Sequence, residues 1–166
     1  MTDAAREMVK RESAFLAGVE DKLVGARGTL LTGSSWRTAR HDQGDRLRAI
    51  MAERRLYDRQ RLRELPQNRW VAMHGYRRRF LFGKRPTGVA IASVLCPMES
   101  LVALDGKDPG PIDGRRLQAH VRDLVGDATV PYVIGVCAPT GFTEEASGSK
   151  PDLPNVTLVL IEPKPG

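Results

Sequence analysis

The 166-residue sequence is poor in aromatic residues, in cysteine and in long apolar runs. Only nine side chains are aromatic, so we expect a mainly aliphatic core. Two cysteines are too few for a disulfide scaffold, and no Cys and His spacing matches a zinc finger. No apolar run has the length of a membrane span, and the N-terminus has no signal-peptide pattern. We expect a soluble, cytoplasmic protein without membrane contact, metal or cofactor.

The charge is distributed unevenly along the chain, and the net value of +6 hides this. Residues 1–86 hold 20 basic and 10 acidic residues, whereas residues 87–166 hold 6 basic and 10 acidic residues. Twenty of the 26 basic residues are arginine, whose guanidinium can form two parallel hydrogen bonds to a phosphate. Such asymmetry indicates an anionic partner for the N-terminal half.

Two helices are predicted in the N-terminal half from apolar residues at a period of 3.6. The first covers residues 3–24, and Glu12 interrupts its apolar face. The second covers residues 37–65, is strongest from 45 onward, and ends before Pro66. The second is so basic that it is either a solvent-exposed helix or a binding element. Its arginines that are candidate contacts to an anionic partner are Arg54, Arg55, Arg59, Arg61 and Arg63.

From Arg69 the pattern changes to that of strands and short helices. We predict two short strands on either side of His74 and Gly75, a turn over residues 83–88, and a buried strand over residues 89–96. Further along, the pattern predicts a helix over 114–125 capped by Asp113, a strand over 132–137, a short helix after Thr143, and a strand over 155–161.

This alternation is typical of an α/β fold with a small, mostly parallel sheet and flanking helices. We assign the sheet to residues 67–166 and a basic, helical N-terminal segment of two helices to residues 1–66. Ligands of such sheets bind beyond the carboxyl ends of the strands, which here are the loops after Cys96 and Cys137.

The densest basic and aromatic cluster is the run from Tyr76 to Arg85. On a strand, Arg77 and Arg79 would share one face, and Tyr76 and Arg78 the other. One face could then bury rings while the other contacts phosphates, although charged runs also occur on plain edge strands. The candidate nucleic-acid-binding residues of this cluster are Arg77, Arg78, Arg79, Lys84 and Arg85.

Catalytic chemistry has weaker signals. Cys96 and Cys137 each end an apolar strand and are either small core residues or, with His120 nearby, reactive thiols. The spacing from Asp152 to Glu162 and Lys164 loosely matches a Mg²⁺-dependent nuclease, in which two carboxylates hold the cation and the lysine positions water. Neither pattern identifies a set of catalytic residues.

The region from Asp113 to Glu162 resembles the later part of Mrr-type, restriction-endonuclease-like domains. The residues that carry the resemblance are Tyr132–Cys137, the run Gly141-Phe142-Thr143-Glu144-Glu145-Ala146, and Val156–Ile161. That family carries an acidic strand ending in Glu/Gln-x-Lys, and the matching run here, residues 93–99, has no such triplet. The resemblance therefore implies a nucleic-acid-associated domain without nuclease activity.

Three functions remain open from the sequence. The leading hypothesis is nucleic-acid association through the Arg-rich segment 46–85, which would be salt-dependent and weakly sequence-specific. The second is a small-ligand sensor or an enzyme that uses the loops at the carboxyl ends of the strands. The third is an interaction module that binds an acidic protein or forms a homo-oligomer through its oppositely charged halves.

Overall fold

The structure is a computed structural model that describes residues 3–25, 34–42, 69–79, 83–95 and 110–163. These ranges contain helix α1 (Asp3–Gly25), strands β1 (Ser34–Asp42), β2 (Arg69–Arg79) and β3 (Gly83–Val94), helix α2 (Gly114–Leu124), strand β4 (Tyr132–Cys137), helix α3 (Glu144–Gly148) and strand β5 (Val156–Ile161). The predicted helix over 45–65 and the predicted domain boundary at residue 66 lie outside the described residues.

The five strands form one sheet in the order β1-β2-β3-β4-β5. The pairs β3–β4 and β4–β5 are parallel, whereas β1–β2 and β2–β3 are antiparallel. Four of the five described strands therefore run in one direction, and β2 runs in the other. The prediction of an α/β fold with a mostly parallel sheet is confirmed.

β1 corrects the prediction for the N-terminal half, because residues 37–42 were expected to begin a helix. They lie instead in an extended strand hydrogen-bonded along its length to β2, with Ser34 opposite Arg77 and Asp42 opposite Arg69. The sequence of β1 has no apolar alternation that would mark a strand. Its conformation is set by pairing with a distant strand, and its charged residues suit a sheet edge.

β2 and β3 are each longer than predicted. β2 is one strand of 11 residues rather than two short strands, because the His74-Gly75 interruption is accommodated as a register shift between Gly75 and Tyr76. β3 begins at Gly83, so the segment predicted as a turn over 83–88 belongs to the strand. Pro86 lies opposite Tyr76, beside the bulge, where a missing backbone N–H is tolerated.

The two faces of the sheet are covered by different helices. On one face, Leu16 of α1 packs with Val71, Ala92 and Val94. On the other, α2 and α3 cover a larger aliphatic cluster around Ile134. The residues of this larger cluster that are fully buried include Ile112, Leu117, Ile134, Val136, Ala138 and Ala146. The prediction of a mainly aliphatic core holds for the described residues.

Both predicted helix caps of the α/β region are present. The Asp113 carboxylate accepts a hydrogen bond of 2.8 Å from the Arg116 backbone N–H, and Thr143 Oγ1 accepts one of 3.2 Å from the Ala146 N–H. These bonds satisfy N–H groups that the first helical turn leaves unpaired. Thr143 N–H also donates to Ile112 O at 2.9 Å, which joins the entries of α2 and α3 at one end of the sheet.

Candidate nucleic-acid interface

Basic residues lie opposite one another where β2 ends and β3 begins. The antiparallel register places Arg77 opposite Arg85 and Arg78 opposite Lys84. Arg79 is opposite Gly83, whose φ of 87° lies in the left-handed region that glycine adopts without strain. We call these five basic positions, Arg77, Arg78, Arg79, Lys84 and Arg85, the hairpin cluster.

The register of the hairpin cluster is unusual electrostatically. Like charges directly opposite each other in an antiparallel pair are destabilising, and here two such pairs follow in succession. The Arg85 side chain is exposed to solvent. Neither strand contains a carboxylate. Successive positions of a pleated strand alternate between the faces of the sheet, so the Arg77 and Arg85 positions belong to one face and the Arg78 and Lys84 positions to the other.

Two rings lie next to the hairpin cluster on β2. The His74 and Tyr76 rings are stacked, with centroids 6.4 Å apart and planes inclined by 25°. Both side chains are partly exposed. The two residues are neighbours on the same face of the strand, so the bulge between Gly75 and Tyr76 does not separate the rings.

The structure brings together half of the predicted binding residues. The five of the hairpin cluster are adjacent in the β2–β3 register. The other five, Arg54, Arg55, Arg59, Arg61 and Arg63, lie outside the described residues. The sequence analysis missed the contribution of β1, which continues the sheet beyond β2 and places Arg37 opposite His74. The only sequence signal for a contribution of β1 was the basic composition of residues 34–42, because the helix and strand patterns could not be distinguished there.

A reactive thiol is one form of the second hypothesis, and Cys137 has none of the properties of a nucleophile. It is fully buried at the carboxyl end of β4. Burial, and then the nearby Glu12 carboxylate, raise the pKa of the Cys137 thiol to about 12. A thiol that stays protonated is not a nucleophile at neutral pH. Cys96 lies outside the described residues.

Labelling should show this protection of Cys137. In a Cys96→Ser background, iodoacetamide should modify the native protein at pH 8 roughly 100-fold or more slowly than the urea-unfolded chain, because both burial and the raised pKa suppress the thiolate. The unfolded thiol loses its proton first as the pH rises, so stability should also decline above about pH 9. Equal labelling rates in the native and unfolded states would instead support a reactive thiol.

A buried polar pair that the sequence did not reveal lies near the carboxyl end of β3. Ser93 Oγ and His120 Nε2 are 2.5 Å apart and join β3 to α2. The side chains are 0% and 4% exposed, so a substrate cannot reach the hydroxyl. The contact resembles the nucleophile and base of a hydrolase only in its atom types. In this position it satisfies two polar groups within the core.

The two carboxylates with nuclease-like spacing, Asp152 and Glu162, interact with different partners. Asp152 forms an ion pair with Arg122 of α2. Glu162 Oε1 accepts a hydrogen bond of 3.0 Å from the Phe142 backbone N–H. Within the described ranges, no group of three His, Cys, Asp or Glu side chains is arranged to hold a metal ion. Lys164 lies outside them.

The comparisons with known proteins give no indication of function, so a functional proposal for this chain rests on its geometry. Neither a protein-family model, nor a curated protein, nor a solved structure matches this chain. The resemblance to Mrr-type domains stays a prediction. No helix in the described part of the chain is long and apolar enough to cross a bilayer.

Proposed function

We propose that this protein associates with nucleic acid by contacting the phosphate backbone through the hairpin cluster, without catalysing a reaction on it. The observation that carries the proposal is the register of β2 and β3, in which Arg77 is opposite Arg85 and Arg78 is opposite Lys84. Opposed cations cost folding free energy, and a polyanion with regularly spaced phosphates offsets that cost by binding.

The type of cation supports a phosphate ligand. Four of the five basic residues of the hairpin cluster are arginine, and arginine presents donors in a planar fork that matches two phosphate oxygens. The segment that joins β1 to β2, residues 43–68, adds seven more basic residues, among them the five predicted contacts of the helix. Binding of this kind carries little sequence information, because every nucleotide has the same phosphate.

The stacked rings favour single strands over duplexes. A base can stack on an aromatic ring only if it is unpaired or displaced, and such stacking contributes about 1–3 kcal/mol per base. His74 and Tyr76 are partly exposed beside the hairpin cluster, which is the arrangement that grooves for single strands use. We therefore expect single-stranded DNA or RNA to bind more tightly than a duplex of the same length.

A binding titration tests the proposed function. Fluorescence anisotropy of labelled single-stranded and duplex oligonucleotides should show binding at about 50 mM salt that weakens at least tenfold at about 200 mM salt, because bound phosphates release counterions. Absence of binding to any oligonucleotide at the lower salt would refute the proposal. Equally tight binding of polyglutamate would refute it in favour of an acidic protein as the partner.

Replacing Tyr76 separates stacking from charge. Tyr76→Ala should weaken binding to a single strand by about 1–3 kcal/mol and leave duplex binding and the salt dependence unchanged. The matched control is Phe142→Ala, because Phe142 is also partly exposed but follows the carboxyl end of β4, at the opposite end of the sheet from the hairpin cluster. An equal loss for single strands and duplexes would show that Tyr76 supports the fold of β2 rather than a base.

A further inference from the structure

β5 is an edge strand without the features that normally keep an edge unpaired. It pairs with β4 and with no other strand of the described sheet. Its sequence, Val-Thr-Leu-Val-Leu-Ile, has no charge and no proline, and its register with β4 has no bulge. β1, at the opposite edge, carries Arg37, Arg40 and Asp42. Charged side chains, prolines and bulges are the usual protection against edge-to-edge pairing.

The backbone of β5 offers hydrogen-bonding groups along its outer side. Asn155 O and Ile161 O accept from β4 and the residue that follows it, at 2.8 Å and 3.0 Å from the Tyr132 and Ala138 N–H groups. Because a strand bonds to one neighbour at alternate residues, the groups of Leu158 and Leu160 point away from β4. No other described segment pairs with β5 on that side.

The side chains along this edge are mainly apolar, with Val159 exposed on one face of the sheet and Leu158 and Leu160 partly exposed on the other. Val159 is 47% exposed and lies on the same face of the sheet as α1. On the other face, a groove of about 610 Å³ follows the strand. Its lining includes Leu158, Leu160 and Phe142, together with Lys150 and Glu162.

We propose that β5 is the interface between two copies of this chain, which pair antiparallel about Val159 and join their sheets into one of ten strands. In this register Val159 lies beside Val159 of the other copy, and Leu158 lies opposite Leu160. The outward backbone groups of Leu158 and Leu160 then bond in both copies. The pairing is isologous, so the same surface supplies both halves and the assembly closes as a dimer.

The charges around the groove fit a second copy. Glu162 follows the carboxyl end of β5, and Lys150 belongs to the segment that leads into its amino end. Antiparallel pairing inverts the second strand, so Glu162 of each copy lies toward the end of β5 that Lys150 precedes in the other. The strand itself has no charge that would repel an identical strand. The interface lies at the far edge of the sheet from β1, so it does not depend on the proposed function.

The mass in solution tests the dimer. Sedimentation equilibrium of the full chain should show reversible dimerisation. Val159→Lys should weaken dimerisation at least tenfold, because the two lysines would lie side by side at the twofold axis and repel each other. Val133→Lys is the matched control, because Val133 is 51% exposed on β4, one strand inside the edge. It should leave dimerisation unchanged. A monomeric wild type at every concentration, or equal effects of the two lysines, would overturn the proposal.

Cross-linking tests the register. In a Cys96→Ser background, Val159→Cys should form a covalent dimer on mild oxidation, because directly opposite residues of a non-hydrogen-bonded pair have Cα atoms about 4.5 Å apart, within disulfide range. Val133→Cys, equally exposed, should remain monomeric. Failure of Val159→Cys to cross-link, or equal cross-linking of both variants, would overturn the proposed pairing even if the protein dimerises.

Discussion

Replacing Arg77, Arg78 and Arg85 together by glutamine is expected to weaken binding to single-stranded nucleic acid roughly tenfold to a hundredfold at about 50 mM salt. The three residues belong to the two opposed pairs of the β2–β3 register, so glutamine removes phosphate contacts and repulsion at once. The slope of the logarithm of the affinity against the logarithm of salt should become shallower by about two units, at about 0.7 for each lost contact.

Three cations elsewhere provide the control for this variant. Lys10, Lys22 and Arg115 are exposed on helices α1 and α2. Replacing them by glutamine changes the net charge by the same amount without touching the β2–β3 pair. This control should bind with an affinity within about threefold of the wild type, because distant exposed charges are largely screened. An equal loss in both triple variants would mean that net charge, and not the hairpin cluster, determines binding.

The hairpin variant should bind nucleic acid more weakly without becoming less stable. Removing opposed cations relieves repulsion in the folded sheet, so the free energy of unfolding without ligand should stay the same or rise slightly, by less than about 1 kcal/mol. Addition of a single-stranded oligonucleotide should raise the unfolding temperature of the wild type by more than that of the variant. A marked loss of stability in the variant would show that these arginines are structural.

Replacing Ile134 by alanine is expected to have the largest effect on stability, a loss of about 4 kcal/mol. Ile134 is fully buried in β4, which has a strand on either side, and it packs in the cluster beneath α2 and α3. Alanine leaves a cavity that neighbouring strands cannot close, because both are held by parallel ladders. Urea denaturation measures the change in the free energy of unfolding.

The adjacent residue is the control for the core variant. Val133 precedes Ile134 on the same strand, but its side chain is 51% exposed. Val133→Ala should cost less than about 1 kcal/mol, which is the range of strand preference alone. Similar losses for the two variants would contradict the described packing of the sheet faces, since a register error by one residue exchanges the inner and outer side chains.

The parts of the fold that were predicted from the sequence have local signals. The α1 helix has a 3.6-residue period, β4 and β5 are short apolar runs, and Asp113 and Thr143 precede helices as capping residues. Each of these features is encoded within a few neighbouring residues. The larger core has the same origin, because apolar runs predict strands with at least one face covered by helices. The exposure of Val133 and Val159 on the other face of β4 and β5 was not evident from these runs.

The parts that were predicted incorrectly depend on distant residues. β1 has a polar sequence that fits no strand pattern, and pairing with β2 determines its conformation. Gly75 and Pro86 are usual signals for the end of a strand, yet a bulge accommodates both inside the β2–β3 pair. Sequence patterns do not contain the partner strand, so edge strands and bulges are the elements that local reasoning misses.

The candidate site was predictable in composition but not in arrangement. The concentration of arginine between residues 36 and 85 was evident from the sequence, and so was the cluster from Tyr76 to Arg85. That Arg77 is opposite Arg85 follows only from the register, which the bulge after Gly75 shifts by one residue. The Ser93 and His120 contact was equally hidden, because the two residues are 27 positions apart.

Photochemical cross-linking is the most direct measurement of the proposed interface. Irradiation of the protein with a single-stranded RNA containing 4-thiouridine, followed by mass spectrometry of the peptides, identifies the residues that lie beside the bases. The account predicts cross-links in β2 and the start of β3, with Tyr76 among the modified residues and with their yield decreasing as salt increases. Cross-links found only in residues 110–163, or their absence at low salt, would contradict it.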